Sequence, residues 1–210
     1  MNLQSLASHT VDLDLLPEEP TVLDVGCRWF DFTKAVAELR PASKVFALDP
    51  AEDVTDGLLS FKCRDLIYRE IALVGSGNAT QMLAHFSTGE GDFLTKQRHW
   101  DGWDKQPEIY EVDCMTIGEL MLAEAVRHWD LVKLDCEGSE FDILEHWPGP
   151  IATQISVEFH DWDKPMYRSE TYYDTLRKKL PWYKFAQHEF SKQGTGVGHW
   201  DSLLVLKNGK

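Results

Sequence analysis

Cationic side chains are scarce in this chain of 210 residues: 21 Lys and Arg stand against 35 Asp and Glu, a formal net charge of −14. A surface of that sign repels phosphate backbones, which argues against nucleic acid as a partner. A neutral or cationic small molecule suits it better, and an acidic surface also serves solubility alone. No long apolar run is present, so no membrane span is expected. The first 20 residues lack the basic and then apolar blocks of a secretory signal, and the expectation is a cytoplasmic protein. None of the four cysteines, Cys27, Cys63, Cys114 and Cys136, stands in a C-x-x-C or other metal-ligand spacing. They read as buried reduced thiols. The G-x-G-x-x-G fingerprint is missing, which argues against a dinucleotide-dependent oxidoreductase. There is no internal repeat and no low-complexity tract.

What is there is ordinary for a globular domain, with 43% hydrophobic and 27% charged residues. The length suits one core. Residues 1–20 read as an N-terminal extension closed by Pro17 and Pro20, and residues 21–210 as a single domain. From there strand and helix alternate. Residues 21–26 form a short apolar run ending in Gly26, the pattern of a buried strand. Asp31 caps the helix that follows, with Phe32, Val36 and Leu39 on one face and Pro41 as its stop. Strands are expected at 44–49, at 67–74, near 80–86, at 109–115, 129–135, 151–159, 182–190 and 200–206. Helices are expected at 117–127, 139–147 and 166–180. The segment 75–107, broken by five glycines, reads mostly as loop, and loops that long inside a domain are usually functional or mobile. The order predicts a doubly wound α/β fold with a mostly parallel sheet, helices on both faces and an antiparallel hairpin at one edge.

Three constellations carry chemistry. In Asp24-Val-Gly-Cys-Arg-Trp-Phe-Asp-Phe-Thr33 a strand turns into a helix at the carboxyl edge of the sheet, where doubly wound folds bind ligands. Gly26 lets backbone approach a ligand. Asp49, at the end of the next strand, stands where an acid holds ribose hydroxyls. In the block 130–140, Asp135, Glu137 and Glu140 crowd one strand end. Their repulsion calls for Lys133, a helix N-terminus, a metal or a cationic ligand, and Glu140 also fits a helix-capping role beside Ser139. In residues 154–161 alternation places Ile155, Val157 and Phe159 on one face and Ser156, Glu158 and His160 on the other, so Glu158 and His160 point one way at a strand's carboxyl end.

Together these motifs resemble the FkbM family of methyltransferases over residues 21–206: Asp24-Val-Gly26, Asp49-Pro50, the block Lys133-Leu-Asp-Cys-Glu-Gly-Ser-Glu140, and Val157-Glu-Phe159. The block from Lys133 is the most specific. The resemblance implies the class I methyltransferase fold, Rossmann-like with a seven-stranded sheet, S-adenosylmethionine as cofactor, and commonly O-methylation of a hydroxyl. Asp24, Gly26, Cys27, Arg28, Phe30, Asp49, Pro50, Ala72 and Asp135 are then the expected cofactor contacts. Asp135 lies by the methyl group, and Ile71, Ala72 and Leu73 lie by the adenine. His160 is the expected general base, with Glu158 orienting it or joining Asp135 and His160 around a divalent cation. Asp49 stands where Glu is usual in the family, one methylene shorter in reach, and two further positions depart from it: Arg28 stands where Asn is usual and Phe30 where Gly is usual. They motivate the competing reading, a methyltransferase fold kept as a binding module without catalysis. The acceptor is expected to be a small molecule or sugar. Trp100, Trp103, Trp162 and Tyr167 either line its pocket or cover the core edge, and the run 194–198 is either a lid or a hairpin turn. Oligomeric state is not legible.

Overall fold

A computed structural model of the chain describes residues 1–52, 54, 63–86, 92–95, 107–160, 170–188 and 199–207. Its frame is a seven-stranded sheet in the order β12-β13-β11-β10-β3-β4-β5. These strands are β3 (Thr21–Val25), β4 (Lys44–Leu48), β5 (Asp65–Arg69), β10 (Trp129–Leu134), β11 (Ala152–His160), β12 (Tyr183–His188) and β13 (His199–Leu206). The sheet is mixed rather than mostly parallel. Four neighbour pairings run parallel, from β11 through β10, β3 and β4 to β5. Two run antiparallel, because β13 opposes both β11 and β12.

The central strands are Val/Leu/Ile-rich because both faces are covered. On one face Val22, Val45 and Leu131 pack under Phe32 and Val36 of α1 (Asp31–Leu39). On the other, Leu23, Val25, Phe46, Val132, Leu134, Ile155, Val157 and Phe159 form the largest core cluster. Three helices supply its cover: α2 (Ile117–Ala123), α3 (Glu140–Glu145) and α4 (Glu170–Lys179). The reading of Ile155, Val157 and Phe159 as one apolar face is therefore met.

Two parts of the structure go beyond the sequence reading. The N-terminal residues form a hairpin, β1 (Leu3–Leu6) with β2 (His9–Asp12), turning at Ala7 and Ser8 in left-handed conformations. The hairpin is docked: Val11 is fully buried in the α1-side core. Gln154 of β11 accepts a hydrogen bond from Asp12 N at 2.9 Å and donates one to Asp12 O at 3.1 Å. The segment 75–107, read as mostly loop, contributes to a second sheet in the order β6-β9-β7-β8. Its strands are β6 (Ala72–Val74), β7 (Thr80–His85), β8 (Phe93–Leu94) and β9 (Glu108–Thr116). The single strand expected at 67–74 is two strands, β5 in the large sheet and β6 in the small one.

Candidate active site

The α1-side face of the large sheet changes character toward its carboxyl edge, where apolar residues give way to Asp24 and Lys133 in neighbouring register. Both are buried. The Lys133 ammonium donates to Gly26 O at 2.6 Å and lies 3.3 Å from both Asp24 Oδ1 and Asp135 Oδ2. Burial alone would discharge it, but the charges of Asp135 and Asp24 more than offset that and raise its pKa above the usual lysine value. Asp24 is held again by Thr33 Oγ1 at 2.6 Å. The lysine of the block thus ties the glycine turn after β3 to the carboxylate after β10.

Gly26 has φ +73°, and a Cβ on it would stand 1.7 Å from the carbonyl oxygen of Asp135. Glycine is required by that backbone approach as well as by its φ. The next residues leave the turn in different directions. Phe30, not a side-chain cap, precedes α1: its φ is +58°, and Asp31 is already the first helical residue. The left-handed backbone explains why glycine suits this position. The Phe30 ring turns away from the edge into a fully buried patch against Tyr68, 5.8 Å between centroids. Arg28 turns toward the small sheet, with Nη1 3.5 Å from Asp92 Oδ2, and Asp92 also holds His85 Nδ1 at 2.7 Å.

Two cavities meet at this turn. The first, about 290 Å³, lies between the ends of β3, β4 and β10, with Gly26, Asp49, Pro50 and Asp135 on its floor. Ile71, Ala72 and Leu73 form one wall, and Leu83, Phe93 and Leu94 of the small sheet another. The second, about 510 Å³, lies under the N-terminal hairpin, against Ala7, Ser8, His9, Asp24, Cys27 and Lys133. Gly26, Arg28, Trp29 and Asp135 border both.

The first cavity fits a nucleoside with a cationic end. Its apolar walls suit a flat base. Asp49 Oδ2 accepts from Arg28 N and Oδ1 from Ala51 N, each at 3.0 Å, leaving each oxygen a further lone pair for a hydroxyl donor. Burial, opposed by the Ala51 and Arg28 N–H groups, pushes the Asp49 carboxyl up to about 6. At the far end stand Asp135 and Glu137. Asp135, half-buried, would be raised by its partial desolvation but is held well below the usual carboxylate range by Lys133, His9 and His160.

Of the expected cofactor contacts, Gly26, Arg28, Asp49, Pro50, Ala72 and Asp135 line the first cavity. Asp24 and Cys27 border only the second, and Phe30 lines neither. His160 and Glu158 line neither cavity and stand behind Asp135. His160 Nδ1 lies 3.1 Å from Glu140 Oε1, and Nε2 lies 3.7, 3.8 and 4.0 Å from Glu158, Glu137 and Asp135. Burial would lower its pKa, but Glu140, Glu137 and Asp135 push it up to about 10. Those carboxylates favour the protonated ring, and the imidazole expected as general base faces them rather than either cavity. Glu140 is no simple helix cap either: it is fully buried and accepts from Cys136 N at 2.8 Å and Gly138 N at 3.0 Å, while Ser139 makes no side-chain cap bond. The expected metal trio is divided. Ligand atoms of Asp135, Glu137 and His160 lie within 4.8 Å of one another, as do those of His9, Asp135 and Glu158.

His9 was invisible to sequence reasoning. Its Nε2 lies 3.4 Å from Asp135 Oδ2 and its ring packs edge-on to Phe32 at 5.5 Å. No local pattern in the extension signals this, because the contact exists only once the hairpin docks. Leu83, Phe93 and Leu94 were missed for the same reason. The aromatic candidates Trp100, Trp103, Trp162 and Tyr167, and the run 194–198, lie outside the described residues.

Among known proteins, the model of the methyltransferase FkbM domain matches residues 18–193. Nothing matches among curated proteins. The fold is similar to that of fibrillarin in its complex with Nop5p, with TM-score 0.54 and 10% identity over 91% of this chain and 75% of that one. It is similar too to a Listeria monocytogenes protein described as an S-adenosylmethionine-dependent methyltransferase, with TM-score 0.52 and 11% identity over 93% and 96%. An FkbM methyltransferase structure from Methylobacillus flagellatus is 10% identical with TM-score 0.49, covers 88% of this chain, and is itself spanned over 44% of its length. Such identities show the fold alone, which is that of the class I methyltransferases. With the family model matching from the end of the N-terminal hairpin segment to beyond β12, the chain belongs to the FkbM family of methyltransferases.

Proposed function

We propose that the chain binds S-adenosylmethionine in the first cavity and transfers its methyl group to a hydroxyl of a small molecule or sugar that enters by the second. The observation that carries this reading is the meeting of the two cavities at Gly26 and Asp135. Methyl transfer from a sulfonium is an in-line displacement, so donor and acceptor must approach the methyl group from opposite sides, and positioning supplies most of what the protein can contribute. Ile71, Ala72 and Leu73 would hold the adenine, Asp49 would accept from the ribose hydroxyls, and the carboxylate of Asp135, which Lys133 and His9 fix in place, would attract the sulfonium. When bound, the cofactor would supply the methyl group: the C–O bond forms as the S–C bond breaks, the thioether leaves, and the acceptor's hydroxyl proton passes to solvent. The side chains of this chain orient it and exclude water.

His160 and Glu158 support Asp135 from behind in this reading. Arg28 and Phe30 are compatible with it, since Phe30 points out of the cavity and Arg28 braces the turn against Asp92. Calorimetry of the full chain with S-adenosylmethionine tests the reading. One cofactor should bind per chain, and Gly26→Ala should abolish binding because its Cβ displaces the Asp135 backbone. Absence of heat at millimolar cofactor would favour the binding-module reading.

A further inference from the structure

We propose that the half-buried cluster around Asp135 is a divalent transition-metal site, with Nε2 of His160 and the carboxylates of Asp135 and Glu137 as its ligands. The site is argued from these side chains alone; only its role in catalysis rests on the methyltransferase reading.

His160 is 5% exposed, and its Nδ1 is engaged by a fully buried carboxylate, Glu140, which two backbone N–H groups hold still. Metal-bound imidazoles are oriented in this way, through a carboxylate on the nitrogen that does not bind the ion. The other nitrogen faces Glu158 at 3.7 Å, Glu137 at 3.8 Å and Asp135 at 4.0 Å. Those separations exceed hydrogen-bonding reach. They fall just below twice a metal–ligand bond of about 2.1 Å, so one ion can touch both members of each pair.

Glu137 gives an independent indication. Its Oε2 is shut off from solvent and accepts no hydrogen bond, yet it points to within 3.8 Å of Nε2. Residue 137 also takes a left-handed φ of +52°, which carries its side chain back toward the strand ends. On the opposite side His9, 2% exposed, lies 3.4 Å from the other oxygen of Asp135. An imidazole among carboxylates suits Mn²⁺, Fe²⁺ or Zn²⁺ better than Mg²⁺ or Ca²⁺. An ion held on Asp135 stands beside the junction of the two cavities, where it would make an acceptor hydroxyl more acidic.

The test uses the full chain, stripped with EDTA and titrated with MnCl₂, with free Mn²⁺ followed by its electron paramagnetic resonance signal. Saturation at one ion per chain is expected. Glu137→Gln should abolish it, and Glu140→Gln, which loosens His160 without touching the ion, should weaken binding about 10–100-fold. Asp113→Asn, an exposed site on β9, should change nothing. Glu137 is partly exposed, and circular dichroism of each variant confirms that it folds. No saturation up to about 1 mM Mn²⁺, or binding that neither Glu137→Gln nor Glu140→Gln alters, would overturn the site and leave His160 as an internal imidazolium only. Calorimetry with S-adenosylmethionine on the same metal-free protein separates the two ideas: cofactor binding without Mn²⁺ binding sinks the metal site and spares the methyltransferase reading.

Discussion

Single residues at the carboxyl edge do two tasks at once. Lys133 neutralises Asp24 and Asp135 and also pins the carbonyl of Gly26. Asp49 fixes the turn through the N–H groups of Arg28 and Ala51 while facing the cavity. Its pKa of about 6, against an ordinary 3.8, has a sign that can be followed. The folded chain keeps a proton there that the unfolded chain loses, so this group's contribution to stability declines as pH rises through that interval. Cofactor binding goes the other way, because ribose hydroxyls donate best to the ionised carboxylate. Affinity for S-adenosylmethionine should therefore fall as pH drops from 7 to 5. Asp49→Asn should remove that dependence and weaken binding about tenfold or more at pH 8, the worth of a hydrogen bond to a charged group. Calorimetry across pH reads both, and an unchanged pH profile in the variant would contradict the assignment. Phe30 shows the reverse economy: its left-handed backbone costs about 1–2 kcal/mol, offset by a fully buried ring.

At the scale of elements, legibility tracked how local the signal was. The strands of the large sheet other than β5, together with α1 and α3, each carry their own apolar run and stop signals, so the sequence displayed them, with boundaries shifted by a few residues. Of the small sheet, the strands near 80–86 and at 109–115 were legible as β7 and β9, but not their assembly, because β6 pairs with β9 and β9 with β7 across glycine-rich connections that read as loop. The hairpin β1–β2 was read as an extension for a related reason. Its anchor is Gln154, far away in sequence, and among the described residues that side chain supplies both partners of the Asp12 backbone. Gln154→Leu, similar in volume, would leave a buried N–H and a buried C=O unpaired, at about 1–3 kcal/mol each. Urea unfolding should show a loss of about 2–6 kcal/mol, and an unshifted midpoint would mean that the hairpin is held by Val11 and its neighbours alone. His9 reaches Asp135 only through this docking, so the candidate site was legible in its strand-end acids and illegible in its hairpin histidine.

For the molecule as a whole, the net charge of −14 is not spread evenly in its consequences. Asp24, Asp135, Glu137, Glu140 and Glu158 gather at one edge around two internal cations, Lys133 and His160. Acids outnumber cations at that edge, and burial raises the pKa of Glu137 and Glu158, so a sulfonium in the first cavity or an ion beside Asp135 would relieve their crowding. No helix among the described residues is long and apolar enough to cross a membrane. The central claim is that the cofactor lies in the first cavity with its methyl group turned toward the second. A crystal structure of the full chain with S-adenosylmethionine reads this directly. The adenine should lie along Ile71–Leu73, the ribose on Asp49, and the sulfonium methyl beside Asp135 at the junction with the hairpin cavity. A cofactor seated elsewhere, or one whose methyl group faces away from that junction, would contradict the account.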